Sequence, residues 1–300
     1  MEIENCSETG LLPVNRIKKI FLIFMFLVFP LICQSENSTQ KSTKDINQLI
    51  EKLGSSDIIE NYQAGKEIIK EGETAIPYLI KSLNHQKSKI RFASIILLEQ
   101  LKAKESIPEF INILKDKSRK DKERTACALA LGRLNAKDTS DVLIETLNDD
   151  STSIKTACIV SLGMLKEEKA VPYLLKYVKD KEKQIGQVTL KALKEIGDNG
   201  VPKLEEIFEK GEFEEKLLAL EVLGEIKSEK SIEFLKKTMK NENKYLSISS
   251  AYILSSIGKS DGKEVAKKLL NDKDPKIKTL ADKTLQNIKN IEDNTQNPQQ

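Results

Sequence analysis

From residue 46 to residue 289 the apolar positions recur at spacings of three and four, the period of amphipathic helices with one buried stripe. A longer period runs through that pattern. The skeleton Ile154-Lys155-x-Ala157-Cys158-x-x-Ser161-Leu162-Gly163-x-Leu165, a short break, then Val171-Pro172-x-Leu174-Leu175 returns 30 or 31 residues later. It reappears as Ile185, Val188-Thr189, Ala192-Leu193 and Ile196, followed by Val201-Pro202-x-Leu204. A unit of this size cannot bury its own apolar face and has to stack on its neighbours. The pattern therefore predicts an all-α solenoid of antiparallel helix pairs over 57–84, 88–115, 121–148, 152–179, 182–210, 213–240 and 243–271, closed by a lone helix at 275–289. Ile46, Leu49, Ile50 and Leu53 match Ile76, Leu79, Ile80 and Leu83 thirty residues on, so the array opens on an unpaired second helix. Pro77, Pro108, Pro172 and Pro202 fix the phase independently, because proline suits a first helical turn and breaks a helix interior.

The motifs Ala126-Cys127-x-x-Ala130-Leu131-Gly132-x-Leu134, Ala157-Cys158-x-x-Ser161-Leu162-Gly163-x-Leu165 and Leu218-x-x-x-Val222-Leu223-Gly224-x-Ile226 are each led by a basic residue two positions earlier: Arg124, Lys155 and Lys216. They resemble HEAT repeats of the short type also found in phycobilisome lyases. The resemblance covers about residues 57–289. It implies a right-handed superhelix with first helices on the convex side and second helices lining the concave side, and it leaves function open. Gly132, Gly163 and Gly224 share one register near the end of the first helix, where a partner helix must pass closely. The unit at 57–83 departs most from the motif, as a capping repeat would.

Composition narrows the chemistry. With 49 Lys+Arg against 46 Asp+Glu the net charge is only +3, and both signs are interspersed, so no basic stripe marks a nucleic-acid binder. His85 is the only histidine and lies in a loop after a second helix, which excludes a histidine-based metal cluster or triad. The HEAT-repeat hydroxylases need paired His-Glu motifs, and Gln86 follows His85 here. Glu205-Glu206 and Glu214-Glu215 read as solvated helix faces. No phosphate-cradling glycine motif is present, and no cofactor is expected. Cys127 and Cys158 fall in one buried register of successive first helices. Helix axes about 8–10 Å apart disfavour a disulfide, which needs Cα atoms within roughly 7 Å. Two inert, buried thiols are expected, and these could not serve the bilin transfer that the lyase likeness suggests.

The N-terminus reads as an export signal. Arg16, Lys18 and Lys19 precede an uncharged apolar run at 20–33, shorter than the ~20 residues a spanning helix needs and interrupted by Pro30. Cleavage after Ser35 and lipidation of Cys33 compete; Ile32 departs from the small residue that normally precedes a lipidated cysteine. The domain reading is then a signal peptide at 1–35, a polar linker at 36–45, the repeat solenoid at 46–289 and a disordered tail at 290–300. The expected location is the periplasm or cell envelope, with membrane contact only through the signal or a lipid on Cys33.

Solvent-facing positions of the second helices, the third, sixth and seventh from each start, define the one candidate binding surface. They include Tyr78 and Lys81, Ile113, Val142, Tyr173, Lys176 and Tyr177, Ile207, then Phe234 and Lys237. Aromatic and apolar groups interleaved with lysines suit a groove that grips a protein or peptide segment. The same side chains could instead seal adjacent repeats. The sequence thus points to an exported, non-catalytic interaction scaffold. A lyase-like HEAT-fold enzyme using carboxylates and a nucleic-acid-binding solenoid are the alternatives. Residues 1–35 should be missing from protein recovered from the native host; N-terminal sequencing that returned Met1 would contradict the export reading, and a blocked diacylglyceryl-Cys33 would establish the lipoprotein form.

Overall fold

The computed structural model describes residues 46–180 and 182–296. The expected signal, the lipidation site Cys33 and the linker 36–45 lie outside the described residues. Among these residues all regular structure is helical. After α1 (Ile46–Lys52) come seven pairs: α2 (Ile58–Glu71) and α3 (Ile76–Ser82), α4 (Ser88–Gln100) and α5 (Ile107–Lys115), α6 (Asp121–Arg133) and α7 (Ser140–Thr146), α8 (Thr152–Met164) and α9 (Val171–Leu175), α10 (Lys183–Ile196) and α11 (Val201–Lys210), α12 (Phe213–Ile226) and α13 (Glu229–Thr238), α14 (Lys244–Ser256) and α15 (Lys263–Leu269). Helix α16 (Pro275–Gln296) closes the array. The four prolines stand in the first turns of α3, α5, α9 and α11. One boundary moves: α16 continues past 289, where composition predicts a disordered tail. Ile291 is half-buried there, and Glu292 receives Lys263 Nζ of α15 at 2.6 Å, so the last turns keep contacts that composition does not reveal.

Two local devices recur along the array and set the geometry. The first ends each first helix. Gly72, Lys102, Asn135, Lys166, Gly197, Lys227 and Gly258 have φ between 52 and 85°, and each directly follows, or lies within two residues of, the end of α2, α4, α6, α8, α10, α12 or α14. A left-handed residue at this point stops the helix and lets the next amides return to the orphan carbonyls of its last turn. Accordingly the amides of Ala103, Ala136, Glu167 and Lys259 donate to Leu98, Leu131, Leu162 and Leu254, five residues back, at 2.9–3.3 Å. The second device starts the next repeat. Ser55, His85, Asp116, Asp149, Asp180, Asn241 and Asp272 each accept the backbone N–H two residues later, at 2.8–3.1 Å. These side chains, short ones apart from His85, pin the loop just before a first helix or the closing α16.

The first helices form one continuous layer, each packed along the next, while the second helices contact one another more sparsely. Each second helix lies against the first helix that follows it, and only α13 and α15 also approach the backbone of their own partner closely. This corrects the reading of the shared glycines. Their close neighbour is the first helix of the next repeat and not the second helix of their own: a Cβ on Gly163 would lie 2.8 Å from the Ala192 Cα, and one on Gly132 the same distance from the Ser161 Cβ. Where the register carries a long side chain, it bridges instead. Glu99 meets Arg133 at 2.8 Å, and Lys194 meets Glu225 at 3.0 Å.

Five residues before the glycine register lies a second small one: Ala64, Ser94, Cys127, Cys158, Thr189, Ala219 and Ser250, all buried. Cys127 and Cys158 are free thiols that fill this seam as small hydrophobes. Burial pushes the Cys158 thiol up to about 12 and raises that of Cys127 as well, so neither supplies a thiolate at neutral pH.

Four residues separate the turn at Asp116 from the start of α6, against two at the other such turns, and a buried charge cluster accommodates the extra pair. Arg91 grips the fully buried Glu123 with two bonds, Nε to Oε2 at 3.0 Å and Nη2 to Oε1 at 2.9 Å. Arg119, from the segment between that turn and α6, adds Nε to Oε2 at 3.1 Å and also donates to the Leu83 carbonyl; Ser88 Oγ donates at 2.8 Å. Burial pushes the Glu123 carboxyl up, but the Arg91 and Ser88 hydrogen bonds and the two guanidinium charges more than reverse this and hold it below its ordinary range. One carboxylate thereby ties α4, α6 and the loop after α3 together.

Both the caps and the charge cluster have measurable consequences. Gly197→Ala should destabilise the array by about 1 kcal/mol, because a Cβ there meets nothing within 4 Å and only the left-handed backbone is strained. Lys166→Gly should conversely stabilise by about 0.5 kcal/mol. Urea midpoints that were unchanged in both variants would contradict the capping account. Glu123→Gln should cost about 3–5 kcal/mol, the range for removing one partner of a buried ion pair. Because the folded pKa of Glu123 is depressed, its contribution is fully present above the ordinary value of 4.5 and is lost as pH falls through the folded value. The stability difference between wild type and Glu123→Gln should therefore narrow on acidification; a difference independent of pH would argue against the charge cluster.

Candidate functional site

Helices α3, α5, α7, α9 and α11 follow short 3-10 turns, and their residues one, four and five turn inward, as Val171, Leu174 and Leu175 do in α9 and Val201 and Leu204 in α11. Positions three and six face outward. Two adjoining grooves open on this face. One, of about 560 Å³, lies between α7 and α9 and is lined by Asp141, Ile144, Glu145, Asn148, Lys169, Pro172, Tyr173 and Lys203. The other, of about 390 Å³, lies between α9 and α11 and reaches α12; Pro172, Leu175, Ile207 and Leu218 are its apolar lining, with Lys176, Lys203, Glu206, Lys210, Gly211 and Glu215 completing it. Pro172 and Lys203 belong to both, so the two run into each other across one repeat boundary.

The sequence-derived residues divide. Tyr173 is 47% exposed on the first groove, and Lys176 stands over its ring at 6.0 Å while lining the second. Tyr78 and Lys81 are exposed on α3 but line neither groove. Tyr177, counted from the sequence as a neighbour of Tyr173 on an open face, is half-buried instead, and its hydroxyl donates to the Leu147 carbonyl at 2.9 Å, so it seals one repeat to the previous one. Burial, then Asp180, raises its pKa. Phe234 is a second correction: only 6% exposed, it packs edge-on against Phe208 at 5.4 Å, with Lys237 above its ring at 5.8 Å. Ile113 is likewise buried, while Val142 and Ile207 are half-buried. One physical reason covers three of these residues. It holds for Ile113, Tyr177 and Ile207, the seventh residues counted from the starts of α5, α9 and α11, where a side chain meets the adjacent repeat; Phe234 instead stands in register with the inward Leu174 and Leu204.

Lys203 and Glu206 line the grooves without standing among the sequence-derived residues, although they occupy the third and sixth positions of α11; neither is aromatic or apolar, and only the count from the helix start marks them. Glu206 receives Lys203 Nζ at 2.8 Å and Lys210 Nζ at 3.1 Å, and these bonds hold its carboxyl below the ordinary range. Such a group keeps its negative charge and makes a poor proton donor near neutrality. His85 is accounted for by its loop: Nδ1 accepts the Lys87 amide at 3.0 Å, which places the ring proton on Nε2, 2.8 Å from Glu51 Oε1. Among the described residues no group of three His, Cys, Asp or Glu side chains is placed to hold a metal ion, and no helix is long and apolar enough to cross a membrane.

No curated protein matches the chain in sequence. Among solved structures with a similar fold are human deoxyhypusine hydroxylase in complex with glycerol (15% identity, 82% of this chain and 96% of that one, TM-score 0.38), the complex of CpcE and CpcF of phycocyanin lyase from Nostoc sp. PCC7120 (21%, 73% and 92%, 0.39) and YibA of Escherichia coli (15%, 84% and 99%, 0.44). Likeness at this level transfers no activity. The model of HEAT repeats matches residues 107–194, 140–215 and 201–286, three overlapping stretches that register with the observed helix pairs. Together they cover more than half of the sequence, and the chain belongs to the HEAT-repeat family.

Proposed function

We propose that this protein is an exported, non-catalytic scaffold that takes a protein or peptide segment on its second-helix face, in the double groove centred on Pro172 and Lys203. The observation that carries the reading is the continuity of the two grooves across α7, α9 and α11, with an apolar lining, an exposed aromatic at Tyr173 and lysines and carboxylates of both signs around it. An extended segment is the shape that such a trough accommodates, and an aromatic side chain beside an apolar floor is the usual anchor of a protein contact. Mixed charge around the groove favours a partner of mixed charge over a polyanion. The ion-paired state of Glu206 is the reason for preferring binding over carboxylate chemistry at this place.

A peptide library selected against residues 36–300 tests the reading directly, since selection requires no natural partner. Selected peptides should bind about thirty-fold more weakly to Tyr173→Ala, the loss expected for an aromatic anchor worth at least 2 kcal/mol. Helicity and melting should be unchanged, because the ring is exposed. Tyr78→Ala and Lys191→Ala, both away from the grooves, should have no effect. Selection that enriches nothing, or peptides indifferent to Tyr173, would overturn the proposed site.

A further inference from the structure

The two ends of the array are not alike. At the C-terminal end α16 turns Lys276, Lys278, Asp282, Lys283, Gln286 and Lys289 to solvent, the polar outer face that a terminal repeat needs. At the N-terminal end α2 does the opposite. Ile58 is 83% exposed, Ile59 66%, Tyr62 53% and Ile69 39%, four of the eight large hydrophobic side chains exposed among the described residues. The expected capping repeat is thus present in position but lacks a polar outer face.

The stripes of α2 show what this face suits. At 3.6 residues per turn, positions four, seven and eleven apart share a side. Ile58, Tyr62 and Ile69 make one exposed apolar stripe, and beside it run Ile59, Lys66 and Lys70, all exposed. The acidic residues Glu60, Glu67 and Glu71 form a third stripe, half-buried on the far side, while Ala64 and Ile68 face the core. An exposed apolar face bordered by lysines, with carboxylates kept away from it, is the arrangement of a helix that lies in a membrane interface and is attracted by anionic headgroups. A second copy of the same face would set lysine stripes near one another and is the poorer fit.

The chain outside the described residues points the same way. The apolar run at 20–33 ends only twelve residues before α1, and twelve residues span at most about 40 Å when extended. If the chain is held at a membrane by that run or by a lipid on Cys33, the α1–α2 end stays within this distance of the bilayer, whereas α16 is free to project away. We infer that the Ile58–Ile59–Tyr62 face of α2, with Lys66 and Lys70, docks on an anionic lipid surface and orients the solenoid with its α16 end away from the membrane. The orientation rests on the export reading; the lipid contact itself does not.

Residues 36–300 contain the whole compact unit, 44–300, and are the form to test. They should float with vesicles of equal parts phosphatidylglycerol and phosphatidylethanolamine and bind phosphatidylcholine vesicles far more weakly. The double variant Ile58→Glu/Ile59→Glu should reduce flotation about tenfold or more, since two inserted isoleucines are replaced by charges that anionic lipid repels. Lys66→Glu/Lys70→Glu should weaken it and lessen its salt dependence. Circular dichroism of both variants should match wild type, because every altered side chain is exposed; Tyr62→Ser offers a milder probe should either misfold. Absence of flotation in wild type, or flotation insensitive to these changes, would overturn the inference. So would a dimer in sedimentation velocity that Ile58→Glu/Ile59→Glu dissolves, which would assign the face to a second copy. As this form carries no leader, failure of export would appear in N-terminal sequencing and failure of the lipid contact in flotation.

Discussion

Successive first helices approach so closely that in places there is no room for a Cβ, and the rest of the array is arranged around that contact. At Gly163 the next helix presents Ala192, and at Gly132 it presents Ser161, whose hydroxyl donates to the Ala128 carbonyl at 2.7 Å. Dispersion between backbones at this range is gained along the whole length of each helix, and it is forfeited if either side grows. The small seam of Ala64, Ser94, Cys127, Cys158, Thr189, Ala219 and Ser250 serves the same end. It explains why two cysteines lie in register without being joined, and why they stay protonated and inert. Ser250 carries the cost of a polar choice there, since its hydroxyl has no hydrogen-bond partner.

A tight first-helix layer leaves the second helices to set the functional surface. They are short and touch one another less, so grooves open between them. The grooves at α7, α9 and α11 form where α9 is only five residues long, the shortest helix of the described residues. The junction after α11 is also shortened, to residues 211–212, and there the Asx device gives way to Gly211 with a capping box between Glu212 and Glu215. Glu215 thereby comes to line the second groove. The Glu123 cluster solves the converse problem, two extra residues between the turn at Asp116 and the start of α6.

The pairing of elements, their phase and nearly all their ends were legible in the spacing of apolar residues and prolines. The candidate surface was legible only in part. Outward positions three and six of a second helix can be counted from its start, which identifies Tyr173 and Lys176 and, by the same count, Lys203 and Glu206. Position seven cannot be treated so. Tyr177 satisfies that count, yet its hydroxyl donates to Leu147 of the previous repeat, while Phe234 stands in register with the inward Leu174 and Leu204 and meets the Phe208 ring edge-on.

What the sequence determined by itself is whatever depends on neighbours within one helix or turn: helix period, proline and left-handed caps, the small-residue registers and the amphipathic stripes of α2. Such features follow from backbone sterics and the local partition of apolar groups. What only the tertiary structure decided is which neighbour each register faces. The glycines meet the next first helix and not their own partner, Arg91 reaches Glu123 across 32 residues of chain and meets Arg119 there, and the end helices differ in outer face. The physical reason is that a repeat encodes its own shape locally, whereas the angle and offset at which two repeats stack are set by the sum of side-chain volumes and charges on both surfaces, which no single repeat contains.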